Sequence, residues 1–388
     1  MVVRNAHRKA SYANKTVGVL GVPFAKGQHK QGVDLAPALL RKSGLLEALK
    51  EIEELNVKDF GDVTYTLPEP PAEDVDNMHN LQQVSACNKA LSAKVGSILK
   101  EGRICLTLGG DHSIGVGSID GHYNFDENVV VLWVDAHADI NTNKTSGSGS
   151  VHGMPLALVT KELREYWPYL PGMDWLVPRF SIRNLAYIGL RSVDKYERVI
   201  IDKFGIPAFG MEEIQRMGIA AVVELALQYL DPRGEKSIHV SFDIDSLDKL
   251  EAPSTGTCVR GGLTLREGIF LMEQVYNTGR LAAIDLVEVN PLIGSMDDSQ
   301  KTVEAAIDII KAGLGFSRKG SQDVFYWQYL IEASSIFLSD LIFKPKARDF
   351  ALRRYKINNK RVKLSKYLLR KRQNTNKNSQ IRYSLKNK

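Results

Sequence analysis

From Val17 to about Arg318 the chain alternates short β-branched and aliphatic runs with longer stretches whose apolar positions recur at helical spacing. A short continuous apolar run suits a strand covered on both faces, and a 3.6-residue recurrence marks the helices that cover it. The runs predict strands over Thr16–Leu20, Arg103–Leu108, Val129–Val134, Leu185–Gly189, Ile238–Phe242 and Leu281–Val287. Helices are predicted over Ala36–Leu49, Gln82–Lys100, Ile219–Leu230, Thr264–Asn277 and Lys301–Leu314. Strict alternation of the two predicts repeated βα units, and hence an α/β fold: one three-layer domain with a central parallel sheet flanked by helices. Its expected bounds are 16–319, after an N-terminal arm (1–15) and before an extension (320–388).

Polar residues gather where the strands end. Asp135, His137 and Asp139 follow the run Val129–Val134 at every second position, so they share one face at the strand's C-terminal mouth. Asp243 and Asp245 repeat the arrangement after Ile238–Phe242, and Gly109-Gly110-Asp111-His112-Ser113 turns off the strand ending at Leu108. In open α/β sheets ligands bind outside the carboxyl ends of the strands. Four carboxylates there could not share a dry site without positive charge. An oxygen-rich set with imidazoles and no thiolate suits Mn²⁺, and less well Fe²⁺, Co²⁺ or Zn²⁺. One such cluster could be helix caps and solvated acids, but two clusters and a GGDH turn argue for two ions. Asp111 and Ser113 read as caps.

Composition narrows the class. At 388 residues, 44% hydrophobic, the chain can bury a large core. Cys87, Cys105 and Cys258 form no CxxC motif or dense framework, which argues for a reducing compartment. The N-terminus is basic without an apolar h-region, so a cytoplasmic protein is expected and a mitochondrial presequence is the second choice. The net charge of +6 conceals a division: Lys344–Lys388 holds 17 Lys and Arg against Asp349 alone, which is +16 and leaves −10 elsewhere. The body thus offers no basis for nucleic-acid binding, whereas the tail could touch an anionic surface. Phe325–Phe343 reads as an amphipathic helix, since Gln328, Glu332 and Asp340 interrupt its apolar run. The proline-rich stretch from Leu67 to Asp76 and the Ser/Gly/Thr-rich stretch from Asn141 to Gly153 read as loops.

The motifs GGDHS (109–113), WVDAHADINT (133–142), HG (152–153), IGLRSVD (188–194), SFDIDSLD (241–248), STGT (254–257), GGLTLREG (261–268) and DLVEVNP (285–291) resemble those of the ureohydrolases, and among them the arginases. The resemblance runs in order from about Val17 to Lys319. It implies two Mn²⁺ per subunit, one held by His112, Asp135, Asp139 and Asp243, the other by Asp135, His137, Asp243 and Asp245. It further implies attack of a metal-bridging hydroxide on the guanidinium carbon of L-arginine, giving urea and L-ornithine. Asp139 would pass a proton to the leaving amine, His152 would shuttle protons from a flexible loop, and Glu288 would hold the guanidinium.

The resemblance places Asn141, Ser148 and Ser150 on the substrate α-carboxylate and Asp194 on its α-amino group, with His137 and Thr257 lining the pocket and Glu197 at the rim. Agmatine has no carboxylate to hold, so this loop favours arginine. Another ureohydrolase, an agmatinase or guanidinobutyrase, is the alternative enzyme. A non-catalytic scaffold with a membrane- or RNA-binding tail is the alternative of a different class. Ser150, Asn143 and Cys258 depart from the family pattern, which usually has Asn, Pro and Pro there. Arg266, Glu267 and Arg318 match intersubunit contacts, so the resemblance implies a homotrimer.

Overall fold

The structure, a computed structural model, describes residues 16–67, 75–316 and 318. The expectations for the aromatic segment and the basic tail lie outside these residues. The described chain builds one eight-stranded, all-parallel sheet: β1 (Thr16–Gly21), β2 (Asn56–Asp62), β3 (Ile104–Leu108), β4 (Val129–Val134), β5 (Leu185–Ile188), β6 (Ala208–Phe209), β7 (Ser237–Asp243) and β8 (Leu281–Val287). Spatial order is β2-β1-β3-β8-β7-β4-β5-β6. All six predicted strands are present. The sheet gains two more at its edges, the charged, exposed β2 and the two-residue β6.

Alternating side chains send the apolar runs to both faces. On one face Val19, Leu106, Leu132, Val240 and Ile284 pack against α1 (Ala36–Lys42), α2 (Leu45–Lys50), α8 (Ile219–Leu230), α9 (Leu265–Asn277) and α10 (Met296–Gly313). On the other, Leu20, Cys105, Val131, Trp133 and Tyr187 meet α3 (Leu81–Lys100), α4 (Gly115–Phe125), α5 (Pro155–Val159) and α6 (Lys195–Phe204). Full burial of each Leu, Ile or Phe in these layers stabilises by about 1.5–3 kcal/mol.

Two helices differ from the sequence expectation for local reasons. Ala36–Leu49 divides at Gly44, whose φ of 88° no helix can hold, so α1 and α2 separate there. The helix expected from Lys301 begins five residues earlier, because Ser295 accepts from Asp298 N–H and Asp298 returns the bond to Ser295. The glycines that lower the helical signal of α4 have a packing role. A Cβ on Gly117 or Gly121 would come within 2.4 Å of the carbonyl of Asn88 or Ser92 on α3, so the two helix backbones touch.

Candidate active site

The C-terminal ends of β3, β8, β7 and β4, the four central neighbours, carry the polar residues. The turn after β3 is strapped in place: Gly109 N–H donates to Leu286 O (2.7 Å), Gly110 N–H to Val22 O (3.0 Å) and Asp111 N–H to Phe24 O (3.0 Å). Asp111 caps the following turn of 3₁₀ helix through Ser113 N–H (3.1 Å) and also accepts from Gly27 N–H (2.8 Å). That fixes His112, fully buried, over the acids that follow β4 and β7.

His112 Nδ1 lies 3.0 Å from Asp135 Oδ2, 3.2 Å from Asp139 Oδ2 and 3.2 Å from Asp243 Oδ2, yet it makes no hydrogen bond. One nitrogen cannot donate to three oxygens; a lone pair and three carboxylate oxygens facing one point form a coordination shell. His137 Nδ1 faces Asp135 Oδ1 (3.4 Å) and Asp245 Oδ2 (3.2 Å) in a second such group. Asp135 thus turns one oxygen toward each group. Asp243 faces the first group through Oδ2, and its Oδ1 accepts from Asp245 N–H (2.7 Å).

The surroundings orient these ligands. The Trp133 ring stacks on His112, centroids 3.9 Å apart and planes 7° from parallel, while its Nε1–H donates to Asp135 Oδ2 (3.0 Å). His112 Nε2 meets Ser241 Oγ (2.9 Å), which donates to the buried Asp285 (3.2 Å), itself bonded to His239 (2.8 Å). Thr257 donates to Asp245 Oδ2 (2.9 Å). Sequence reading placed Trp133 in an apolar run and passed over Ser241 and Asp285; only the register of β4, β7 and β8 brings them under His112.

Electrostatics show what is missing from the protein alone. Burial, then Asp245 and Asp135, push Asp243 well above the carboxylate range, and burial with Asp135 lifts Asp139 to about 6. Burial also opposes ionisation of Asp135, but the neighbouring imidazoles of His112 and His137 bring it below the usual value. Four buried carboxylates of this kind fit two divalent cations, whose charge would balance theirs. The backbone is shaped to the task as well. Asp139 (φ 49°) and Glu288 (φ 64°) both occupy the left-handed region, at a cost of about 1–3 kcal/mol each.

Above the acids opens a cavity of about 340 Å³ lined by His137, Asp139, Asn141, Ser148, His152, Asp194, Glu197 and Thr257, and also by Ser146 and Ser192, which sequence reading missed. Asn141 Nδ2–H donates to Asp194 Oδ2 (2.9 Å), tying the two predicted substrate contacts together. Glu197 lies beneath the rim, accepting from Asp194 N–H (2.9 Å) and Ile140 N–H (3.1 Å), and burial raises it to about 8. Ser150 is 4% exposed and absent from the cavity wall; its N–H donates to Ser148 Oγ.

His152 differs from the flexible-loop expectation. It sits in a turn of 3₁₀ helix, its N–H on Gly27 O (2.9 Å) and its Nδ1–H on Glu288 Oε1 (2.9 Å). Burial lowers its pKa, but Glu288 more than compensates and carries it up to about 9. Glu288 also accepts from His112 N–H (2.9 Å); burial raises its pKa, and these two partners bring it below the ordinary value. The three expected intersubunit residues lie on or beside α9. Glu267 closes a capping box with Thr264 (2.9 Å), and Arg318 forms a fork with Glu273 (2.8 and 2.9 Å). Among the described residues no helix is long and apolar enough to cross a membrane.

The sequence and the fold are similar to those of known proteins. Human Arginase-1 is 44% identical over 318 residues, covering 80% of this chain and 96% of its own length. The arginase of Bacillus caldovelox superposes with a TM-score of 0.70 at 35% identity, covering 78% of this chain and 99% of that one. The Entamoeba histolytica arginase, solved with L-ornithine, gives 0.66 at 31% identity over 78% and 99%. The profile of the Arginase family matches residues 15–315, and with these relatives it places the chain in the arginase family.

Proposed function

We propose that this chain hydrolyses L-arginine to L-ornithine and urea with the help of two manganese ions. The observation that carries the reading is the convergence of His112 Nδ1 and three carboxylate oxygens beside a second His–Asp group, at the floor of a cavity rimmed by Asn141, Ser148 and Asp194. His112, Asp135, Asp139 and Asp243 would hold one ion, and Asp135, His137, Asp243 and Asp245 the other. When bound, such ions supply positive charge and water acidic enough to give hydroxide at neutral pH. A first-row divalent ion suits this oxygen-and-imidazole donor set, and manganese is the choice within it.

The chain's own groups complete the chemistry. The carboxylates of Asp139 and Glu288 favour a guanidinium over a neutral ligand. Asp139, on the cavity wall, is placed to receive a proton and return it to the departing amine. His152 lies between cavity and surface, and its Nδ1–H on Glu288 leaves Nε2 for proton exchange. Asn141, Ser146 and Ser148 present amide and hydroxyl donors suited to a carboxylate, while Asp194 suits an ammonium. Assembly into a homotrimer through Arg266, Glu267 and Arg318 belongs to the same proposal; a monomer mass in sedimentation velocity would remove it.

The test is urea release from purified, Mn²⁺-loaded protein given L-arginine, agmatine and 4-guanidinobutyrate. Urea from arginine in strong preference supports the reading. Turnover of agmatine without arginine turnover replaces it with another ureohydrolase.

A further inference from the structure

The wall of the cavity formed by residues 141–150 carries bonds of its own, among them Thr145 Oγ1–H on Asn141 Oδ1 (2.8 Å) and Gly149 N–H on Ser146 Oγ (3.1 Å), and is anchored from elsewhere as well. Its inner anchors are Asn141 N–H on Gly153 O (3.0 Å) and a tight turn in which Ser146 N–H donates to Thr142 O (2.9 Å). Beyond Asn141, which is tied to Asp194 (2.9 Å), the outer anchors lie on one short segment, Asp76–His79, just before α3. Asn77 forks its amide to two carbonyls that bracket the turn, Asn143 O (2.6 Å) and Ser146 O (2.8 Å). Asn143 Nδ2–H returns a bond to Asp76 O (3.1 Å), and His79 N–H donates to Gly149 O (2.9 Å). Proline, usual at position 143 in the family pattern, could not make that return bond.

The segment is itself held rigidly. Asn77 (φ 54°) and Asn80 (φ 57°) both take the left-handed conformation that asparagine tolerates better than most side chains. Asn80 Nδ2–H donates to Lys26 O (3.0 Å), next to Gly27, whose N–H is on Asp111 and whose carbonyl receives His152 N–H. One continuous set of bonds therefore runs from the rim at Ser146–Ser148, through Asn77 and Asn80, to the cap beneath His112.

We propose that Asn77, clasped with Asn143, is a positioning residue for specificity: it sets the height of the Ser146–Ser148 rim above the acids, and so the fit to an α-carboxylate. This rests on the reading of that rim as the carboxylate contact. Neither asparagine lines the cavity, so they act through the loop and not by touching the ligand. Loss of the clasp weakens ligands that carry an α-carboxylate and spares those that do not.

The experiment uses the Mn²⁺-loaded full chain and two variants, N77D and N143A. Asn77→Asp keeps the size and the backbone tolerance but removes both donors; Asn143→Ala removes only the return bond. The KM for L-arginine is expected to rise about 10-fold in N77D and about 3-fold in N143A, with kcat within 2-fold. The inhibition constant of putrescine, the diamine without the carboxylate, is expected to stay within 2-fold. Hydrogen exchange at the amides of Ser146–Gly149 is expected to rise at least 10-fold in N77D, with β4 unchanged. Unchanged exchange, or equal weakening of arginine and putrescine, overturns the clasp. Faster exchange in N77D, together with a wild-type protein that makes no urea from arginine, would instead overturn the proposed reaction and leave the clasp without its specificity role.

Discussion

Trp133→Phe separates the packing role of the indole from its hydrogen bond. The ring is fully buried, flat on His112, and its Nε1–H is bonded to Asp135 Oδ2, the oxygen turned toward the His112 group. Phenylalanine keeps part of the stack but loses the donor and about a third of the ring volume. Loss of a bond to a charged acceptor costs about 1.5–3 kcal/mol, and the unfilled space adds about 1 kcal/mol, so the metal-free variant should be about 2.5–4 kcal/mol less stable to urea. Two effects then oppose each other in metal binding. An unshielded Asp135 attracts a cation more strongly, while a freed carboxylate and a less constrained imidazole lose their preset geometry. Partners behind metal ligands typically contribute 10–100-fold in affinity, which is about 1.4–2.7 kcal/mol, so geometry should prevail and Mn²⁺ affinity should fall by that factor. Isothermal titration of chelator-stripped protein gives the affinity, and urea release against free Mn²⁺ gives an independent midpoint. An affinity that is unchanged or higher would refute the reasoning, because Nε1–H would then be shielding Asp135 and not aiming it.

Other outcomes follow from the same geometry. His137→Ala should leave the His112 group intact and lower bound Mn²⁺ from two ions to one, read by elemental analysis after gel filtration; retention of two would displace His137 from the second group. In metal-free protein His152 titrates near 9 when folded, against about 6.5 unfolded, because Glu288 outweighs burial. Its stabilising contribution is therefore complete below about pH 6.5 and lost as pH rises toward 9, so the stability difference between wild type and H152N should shrink across that window. A difference that is flat with pH would break the assignment. Arg191 donates to the carbonyls of Gly189, Asp245, Ser246, Leu247 and Val259, stitching the ends of β5 and β7 to the 259 loop. Lysine cannot fan its donors in that plane, so R191K should lower the unfolding free energy by about 2–4 kcal/mol in urea titration; a loss under about 0.5 kcal/mol would make the fan energetically idle.

The sequence was most legible where physics is local and periodic. Continuous apolar runs marked the six inner strands, because buried parallel strands tolerate little else; the acids after β4 were legible as residue types, but strand alternation is not what aims them, since β4 ends at Val134 and Asp139 takes a φ of 49°. β2 was illegible for the opposite reason: Lys58, Asp59 and Asp62 on an edge leave no apolar run to mark a strand, though Arg41 neutralises Asp59 and Asp62 (2.9 and 2.7 Å) across space. α4 hid behind glycines whose purpose is contact with α3. At the site, residue types announced the ligands, but nothing along the chain links Trp133 to His112 or Asn77 to Asn143. Those pairings depend on strand order and on a loop meeting a segment more than sixty residues earlier.

Strand order also fixes when the site can exist. β8 is the last of the described strands and yet lies in the middle, so a nascent chain ending before Leu281 holds two unconnected ribbons, β2-β1-β3 and β7-β4-β5-β6. His112 belongs to the first ribbon and Asp135, Asp139, Asp243 and Asp245 to the second. Each ribbon exposes a long apolar edge during synthesis, a hazard for edge-to-edge association. Completion of the ligand set thus requires β8 between the halves, and cation capture by that full set requires the same strand.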